Sequence, residues 1–193
     1  VSLTFNVYGN TKYEYATFAG GCFWCMEPPF EKLKGVKSVI SGFSGGKIKN
    51  PSYKDVASGR TKHIEVVQIK YNPKKVTYPK LLEVFWKNIN PTDSGGQFVD
   101  RGHQYSTAIF FHNKKQEDLA KKSKLKLSKT GIFNKKIVTP IRRFEKFYAA
   151  EEYHQDFYKK SIVTKLKYKY YRNASGRDQF LEKIWKNKTF SFN

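Results

Sequence analysis

The 193-residue chain contains two cysteines, and both fall in one short stretch, AGGCFWCMEPPF at residues 19–30. A thiol reacts as its thiolate, and its usual pKa of about 8.5 falls beside cations or at the unpaired N–H groups that open a helix. Cys22 follows Gly20-Gly21 into such a turn, and Gly21 lets the backbone crowd whatever approaches the sulfur. Pro28 and Pro29 bias their predecessors away from helix, so a regular helix is expected only from near Glu27, with the prolines in its first turn. Local amides, more than a helix dipole, would then favour an anion at Cys22. Phe23 and Trp24 lie between the thiols. They are either ordinary core aromatics or the walls of an apolar pocket for a methyl or thioether group, with Trp24 adding an N–H.

Two cysteines are too few for a disulfide scaffold. His63, His103, His112 and His154 are scattered and no second paired-ligand motif exists, so no metal site is expected. Redox or nucleophilic use of the thiols is the better reading.

Other groups able to take part in chemistry lie further on. In HIEVVQIKY (63–71), strand periodicity places Glu65 on one face with Val67, Ile69 and Tyr71. Turned inward, its carboxyl would be desolvated, would hold its proton to higher pH and would suit an acid. If Ile64 and Val66 face inward instead, Glu65 is wet. Periodicity leaves both arrangements open. Tyr105 would share a strand face with Thr107, Ile109 and Phe111, and its hydroxyl would need a partner. Asp100 stands in the turn-rich loop SGGQFVDRGHQY, where loop capping is the plain alternative. Tyr53 follows Pro51 in a loop. His63 and His154 are read as structural histidines.

The elements that would carry these residues alternate in type. Strands are expected at 13–19, 36–43, 63–71 and 104–112, with helices at 27–35 and 78–90 between them. The order β-α-β-β-α-β is the split βαβ arrangement, giving an α+β fold of two layers with a mixed, mainly antiparallel sheet. A lysine-rich helix at 114–129, a strand at 136–142 and C-terminal helices at 149–160 and 176–187 complete the reading. We expect a single catalytic domain over 1–193, its core at about 13–142 and a wrapping segment at about 143–193.

Net charge is +21, from 37 Lys plus Arg against 16 Asp plus Glu. Such a balance invites a nucleic-acid partner. Yet lysine outnumbers arginine 31 to 6, and the planar fork that reads phosphate and bases belongs to arginine. The charge is read chiefly as solvated surface. No apolar run approaches the ~18 residues of a membrane span. The opening VSLTFNVYGN shows neither a basic nor an apolar leader segment. A cytoplasmic setting is favoured, with a processed periplasmic or secreted form as the alternative.

GCFW (21–24), NPSY (50–53), HIEVV (63–67) and DRGHQY (100–105), in that order, resemble the A-class peptide methionine sulfoxide reductases over roughly residues 13–160. The resemblance implies an α+β fold related to the split βαβ and reduction of the S-epimer of methionine sulfoxide, free or in proteins. It makes Cys22 the nucleophile, Phe23 and Trp24 the cage for the substrate methyl, and Tyr53 and Tyr105 hydrogen-bond donors to the sulfoxide oxygen. Glu65 becomes the acid that protonates that oxygen, and Asp100 a site-organising carboxylate. No cofactor is implied beyond thioredoxin, or a similar dithiol, as electron donor. Oxidised proteins or free methionine sulfoxide are the expected partners, with no nucleic acid, no membrane and a monomeric state.

Attack on a sulfoxide leaves Cys22 as a sulfenic acid, which a second thiol must resolve. Many family members recycle through distal cysteines near the C-terminus, and this chain has none there. Cys25 is the internal candidate, able to close a disulfide as redox Cys-x-x-Cys motifs do, or else it is a buried structural thiol. Two other classes compete with this reading. A thiol–disulfide oxidoreductase shares the Cys-x-x-Cys but asks for neither Glu65 nor the tyrosines. A basic nucleic-acid-binding module would be indifferent to Cys22.

Overall fold

In the computed structural model, which describes residues 12–192, strand β1 (Glu14–Gly20) buries its last five residues in succession. That is the mark of a central strand covered on both faces. The segment read above for a leader lies outside the described residues. Around β1 the sheet runs β7-β6-β1-β3-β2-β8, with β2 at Val36–Ser44, β3 at Ile64–Tyr71, β6 at Thr107–Phe111, β7 at Ile141–Arg143 and β8 at Tyr148–Ala149. The four long strands β6, β1, β3 and β2 are mutually antiparallel, and β7 joins β6 in parallel. This is the split βαβ order that the element sequence predicts.

Helices α1 (Phe23–Glu31) and α3 (Tyr78–Trp86) lie on one face of that sheet. Helix α3 starts where Thr77 accepts from the Lys80 amide, and Leu81, Leu82, Phe85, Trp86 and Ile89 face inward as the apolar stripe requires. Phe18 of β1 stacks on Phe30 and Phe85 at ring separations of 5.5 and 4.9 Å. Each ring buried in this way contributes about 1.5–3 kcal/mol. Glu65, Val67, Ile69 and Tyr71 point toward this helical layer. Ile64 and Val66 point the other way, under Phe144 and Phe147. Both faces of β3 are therefore dry, and Glu65 is buried with them.

Several boundaries differ from expectation. Helix α1 begins at Phe23, four residues before the predicted start, so Pro28 and Pro29 sit in its interior. A proline there has no N–H for the carbonyl four residues back. The Cys25 carbonyl, which Pro29 cannot serve, instead accepts from the Arg172 guanidinium at 3.1 Å. Tyr53 is not in a loop: it opens a short helix α2 (Tyr53–Ala57), capped by a reciprocal Ser52–Asp55 box. The Asp100 loop contains a two-residue hairpin, β4 (Gly96–Gln97) with β5 (Asp100–Arg101).

The strand predicted at 104–112 is Thr107–Phe111, so Tyr105 does not share its face but sits in a preceding 3-10 turn (His103–Tyr105). The strand expected at 136–142 is confined to Ile141–Arg143. Residues 149–160 are not a helix. They hold the end of β8 and two 3-10 turns, at Glu152–His154 and Phe157–Lys159. The long C-terminal helix is α5 (Ile162–Ala174), which turns Ile162, Leu166 and Tyr170 to solvent and buries none of its residues. The lysine-rich helix α4 (Lys114–Lys129) and the last helix α6 (Arg177–Trp185) stand close to where they are expected.

The segment after β7 closes over the sheet edge. Beyond β8, Gln155 continues the ladder with its side chain, accepting from the Ser41 amide and donating to the Ser41 carbonyl. Among the described residues no helix is long and apolar enough to cross a membrane.

Candidate active site

At the edge of the α1 layer a cavity of about 130 Å³ is lined by Cys22, Phe23, Trp24, Tyr53, Glu65, Asp100, Tyr105 and Tyr171. Cys22, Phe23 and Trp24 come from one turn, and the other five from five separate elements. Cys22 is the residue before α1, held between Gly21 and the first helical turn. Gly21 adopts φ +83°, and a Cβ there would lie 2.6 Å from the Gln97 side chain, so the approach to the thiol requires glycine. The first amide of α1, that of Phe23, donates to the Glu65 carboxyl at 2.9 Å rather than to a sulfur.

Glu65 is 2% exposed. Burial pushes its pKa up to about 8, against the pull of the Phe23 amide and with the negative charge of Asp100 adding to the rise. It therefore carries a proton at neutral pH. Asp100 is also raised by burial, with the Tyr171 hydroxyl, which donates to it, and the Arg177 charge pulling back. Burial raises the phenols of Tyr53 and Tyr105 as well, so both keep the hydrogens they would donate.

The two thiols are free and unequal. The expected depression of Cys22 is not what the surroundings produce. Its bond to the Cys25 sulfur, its burial and the nearby Glu65 and Asp100 push it well above the ordinary thiol value. Cys25 is pulled down to about 7, first by that same bond from Cys22, against burial, and then by the charges of Arg177 and Arg172. The surroundings thus favour negative charge on Cys25 over Cys22.

Seven of the eight residues singled out from sequence thus line one cavity, with Cys25 behind it on the helix. Tyr171, on α5, was not anticipated. The one hint was a tyrosine three residues after Tyr168 in KLKYKYYR, on the same helical face. His154 is buried in an aromatic nest, its ring 4.2 Å from that of Tyr53 and 5.2 Å from that of Phe23, with both nitrogens unpartnered. Burial lowers its pKa, so it packs as a neutral ring. Trp24 stacks on Phe157 at 4.1 Å, leaving its indole N–H without a partner. His63 staples the 46–48 loop, accepting from the Gly46 amide and bonding the Ile48 carbonyl.

Glu27, passed over in the sequence, is a second buried carboxyl. Its pKa is pushed to about 8 by burial, while Ser41 donates to it at 2.6 Å. A larger cavity of about 550 Å³ beside α4, lined by Lys121, Lys124, Phe133 and Ile141 among others, contains no thiol and no acid. Among the described residues no group of three or more His, Cys, Asp or Glu side chains is arranged to hold a metal.

Comparison with known proteins identifies the family. Residues 14–189 match the model of the family described as peptide methionine sulfoxide reductase. The chain is 53% identical over 173 residues to peptide methionine sulfoxide reductase MsrA of Listeria monocytogenes, covering 90% of this chain and 96% of that protein. It is 52% identical over 176 residues to the MsrA/MsrB protein of Vibrio cholerae, covering 91% of this chain but only 46% of that longer protein. Among solved structures, reduced Mxr1 from Saccharomyces cerevisiae superimposes with a TM-score of 0.68 at 35% identity, over 77% of this chain and 85% of Mxr1. Mxr1 in complex with Trx2 matches with a TM-score of 0.52 at 26% identity, over 75% of this chain and 86% of that one.

Proposed function

The chain belongs to the peptide methionine sulfoxide reductase family and is an enzyme that reduces methionine sulfoxide; we propose that it does so by attack of Cys22 on the sulfoxide sulfur while Glu65 protonates the oxygen. The observation that carries this is the convergence of a protonated buried carboxyl, two phenols and a thiol on one small cavity. A sulfoxide oxygen leaves poorly until it is protonated, and Glu65 holds a proton where an ordinary glutamate would not. The hydroxyls of Tyr53 and Tyr105 steady the oxygen as charge develops on it. Phe23 and Trp24 hold the methyl group of the S-epimer, and Asp100 with Tyr171 fixes the far wall.

As Cys22 attacks, its proton passes along the thiol bond to Cys25. The sulfoxide sulfur gains two electrons and leaves as methionine. Cys22 loses two and becomes a sulfenic acid, its oxygen carrying the proton from Glu65. Cys25 then attacks the Cys22 sulfur. The S–O bond breaks, hydroxide takes the Cys25 proton and departs as water, and a Cys22–Cys25 disulfide remains. A dithiol protein of the thioredoxin kind reopens it, as the association of the similar Mxr1 with Trx2 suggests. A thiol–disulfide oxidoreductase would need no acid facing its thiol, and here one is buried against the turn.

The test is mass spectrometry after one exposure to substrate without reductant. The proposal expects one methionine per enzyme and a loss of two hydrogens that links Cys22 to Cys25. In Cys22→Ser no methionine should form. In Cys25→Ser a single methionine should form and an added oxygen should remain. Sustained thioredoxin-driven turnover by Cys25→Ser would remove Cys25 from the cycle.

A further inference from the structure

Arg177 is 1% exposed, yet among the described residues no carboxylate lies within ion-pair distance of it. An unpaired charge in a dry interior is costly, so something in its surroundings must answer it. Its guanidinium donates to the Asn88 carbonyl at 2.7 Å and the Gly20 carbonyl at 3.0 Å, touches the Met26 sulfur at 3.7 Å and lies 4.6 Å over the Phe98 ring. Three of these contacts are dipoles or a ring, and none neutralises a full charge; the anions its charge reaches are Asp100 and Cys25, neither of them bonded to it. Gly20 and Met26 bracket the Cys22–Cys25 turn.

The second cation on that turn is Arg172. It is held to Asp178 at 2.6 Å and donates to the Cys25 carbonyl that Pro29 leaves open. Ser175 ties the two arginines together, donating to the Arg172 carbonyl and accepting from the Arg177 amide. The chain carries 31 lysines and only six arginines, and two of those six bond the backbone of the turn that holds both thiols, at the Cys25 and Gly20 carbonyls. A guanidinium keeps its charge when buried, where a lysine would shed its proton.

Resting on the reading of Cys25 as the resolving thiol, we propose that Arg172 and Arg177 are positioning residues that hold the negative charge on Cys25 and so make it the sulfur that leaves when an outside dithiol opens the disulfide. Cys22 faces the cavity and Cys25 lies behind it, so the incoming thiolate bonds to the Cys22 sulfur. The Cys22–Cys25 bond breaks with its electron pair going to Cys25, whose carbonyl Arg172 holds and whose turn Arg177 bonds at Gly20 and Met26. The second thiol of the reductant then displaces Cys22, which recovers its proton. A stabilised leaving thiolate speeds the exchange and favours the reduced form of the pair. The other groups bearing on Cys25 are Cys22, whose thiol hydrogen bond pulls it down, the Asp100 carboxyl, whose charge pushes it up, the Glu65 carboxyl, and the phenols of Tyr168 and Tyr171.

The test measures Cys25 directly. In Cys22→Ser, ultraviolet absorbance of the thiolate is followed against pH, with and without Arg172→Gln. In the protein with both thiols, the disulfide is equilibrated with thioredoxin. Arg172→Gln should raise the Cys25 midpoint by about one pH unit and shift the equilibrium about tenfold toward the disulfide, or about 30 mV, while Arg172→Lys restores most of both. Arg177→Lys, which keeps a charge in the fold, should show a smaller shift of the same sign. An unchanged midpoint and an unchanged equilibrium in Arg172→Gln, with the disulfide still forming after one turnover, would overturn the proposal and leave Cys25 as resolver. An unresolved sulfenic acid in the unsubstituted protein would overturn the resolver reading itself.

Discussion

Two buried glutamates behave in opposite ways. Glu83, on α3, is mostly covered, and burial pushes its pKa up. Lys87 at 2.8 Å and Lys80 at 3.1 Å more than reverse that, and the carboxyl ends below its ordinary value. Glu65 has no such partner, and in its place finds Asp100 and a thiol pair nearby, so burial wins and it keeps its proton to about pH 8. No lysine lines the cavity although the chain carries 31 of them. The reactive region is defined as much by where the lysines are not as by the acids it contains. The cations beside it are arginines, bonded to the Cys25 and Gly20 carbonyls of the thiol turn.

The largest expected effect breaks this contrast at Glu65. Glu65→Gln keeps the Phe23 bond but removes the proton donor, and should slow release of the first methionine by about a hundredfold or more in rapid-quench measurements. It should also abolish the fall in single-turnover rate that the unsubstituted protein shows as pH rises through about 8, where Glu65 ionises. An intact alkaline limb in Glu65→Gln would assign that limb to another group.

Smaller effects concern stability. Glu27 has a folded pKa of about 8, above the ordinary value of 4.5, so its contribution is fully present in acid and is lost as pH rises between those values. Glu27→Gln should flatten the decline in urea midpoint from pH 5 to pH 8. Glu83 runs the other way: its pKa is depressed, so its contribution is present at neutral pH and lost on acidification. Glu83→Gln should lower stability at pH 7 by about 1 kcal/mol or less, or about 2–4 °C in Tm, with turnover unchanged. A rise in stability at pH 7 for Glu83→Gln would mean that the two lysines do not compensate its burial.

The sheet was legible because β1, β2, β3 and β6 alternate or bury whole runs, and because α3 carries an unbroken apolar stripe. Cys22, Phe23, Trp24, Tyr53, Glu65, Asp100 and Tyr105 were legible as residues, through motif order more than through geometry. Periodicity alone left Glu65 wet or dry; its place under α1, on the Phe23 amide, decides it, while Phe144 and Phe147 let Ile64 and Val66 be buried on the opposite face as well. Tyr105 was placed on a strand it does not occupy, because a 3-10 turn breaks the alternation just before Thr107. What sequence did not show lies in the last third. Helix α5 buries none of its residues fully and leaves Ile162, Leu166 and Tyr170 exposed, so its apolar pattern does not single out Tyr171 and Arg172. The early start of α1 was hidden by its prolines, whose missing bond at Cys25 is answered by a residue 147 positions away.

That separation also has a meaning in time. A ribosome adding about 5–20 residues per second makes the thiol turn roughly 7–30 s before the arginine that clasps it. Strands β1 to β6 can pair within that interval, bringing Cys22 and Glu65 together while Asp100 still awaits Tyr171. The sulfur and the acid are thus both made before the rear of the site exists, and the final helices are the last part of the cavity to be supplied.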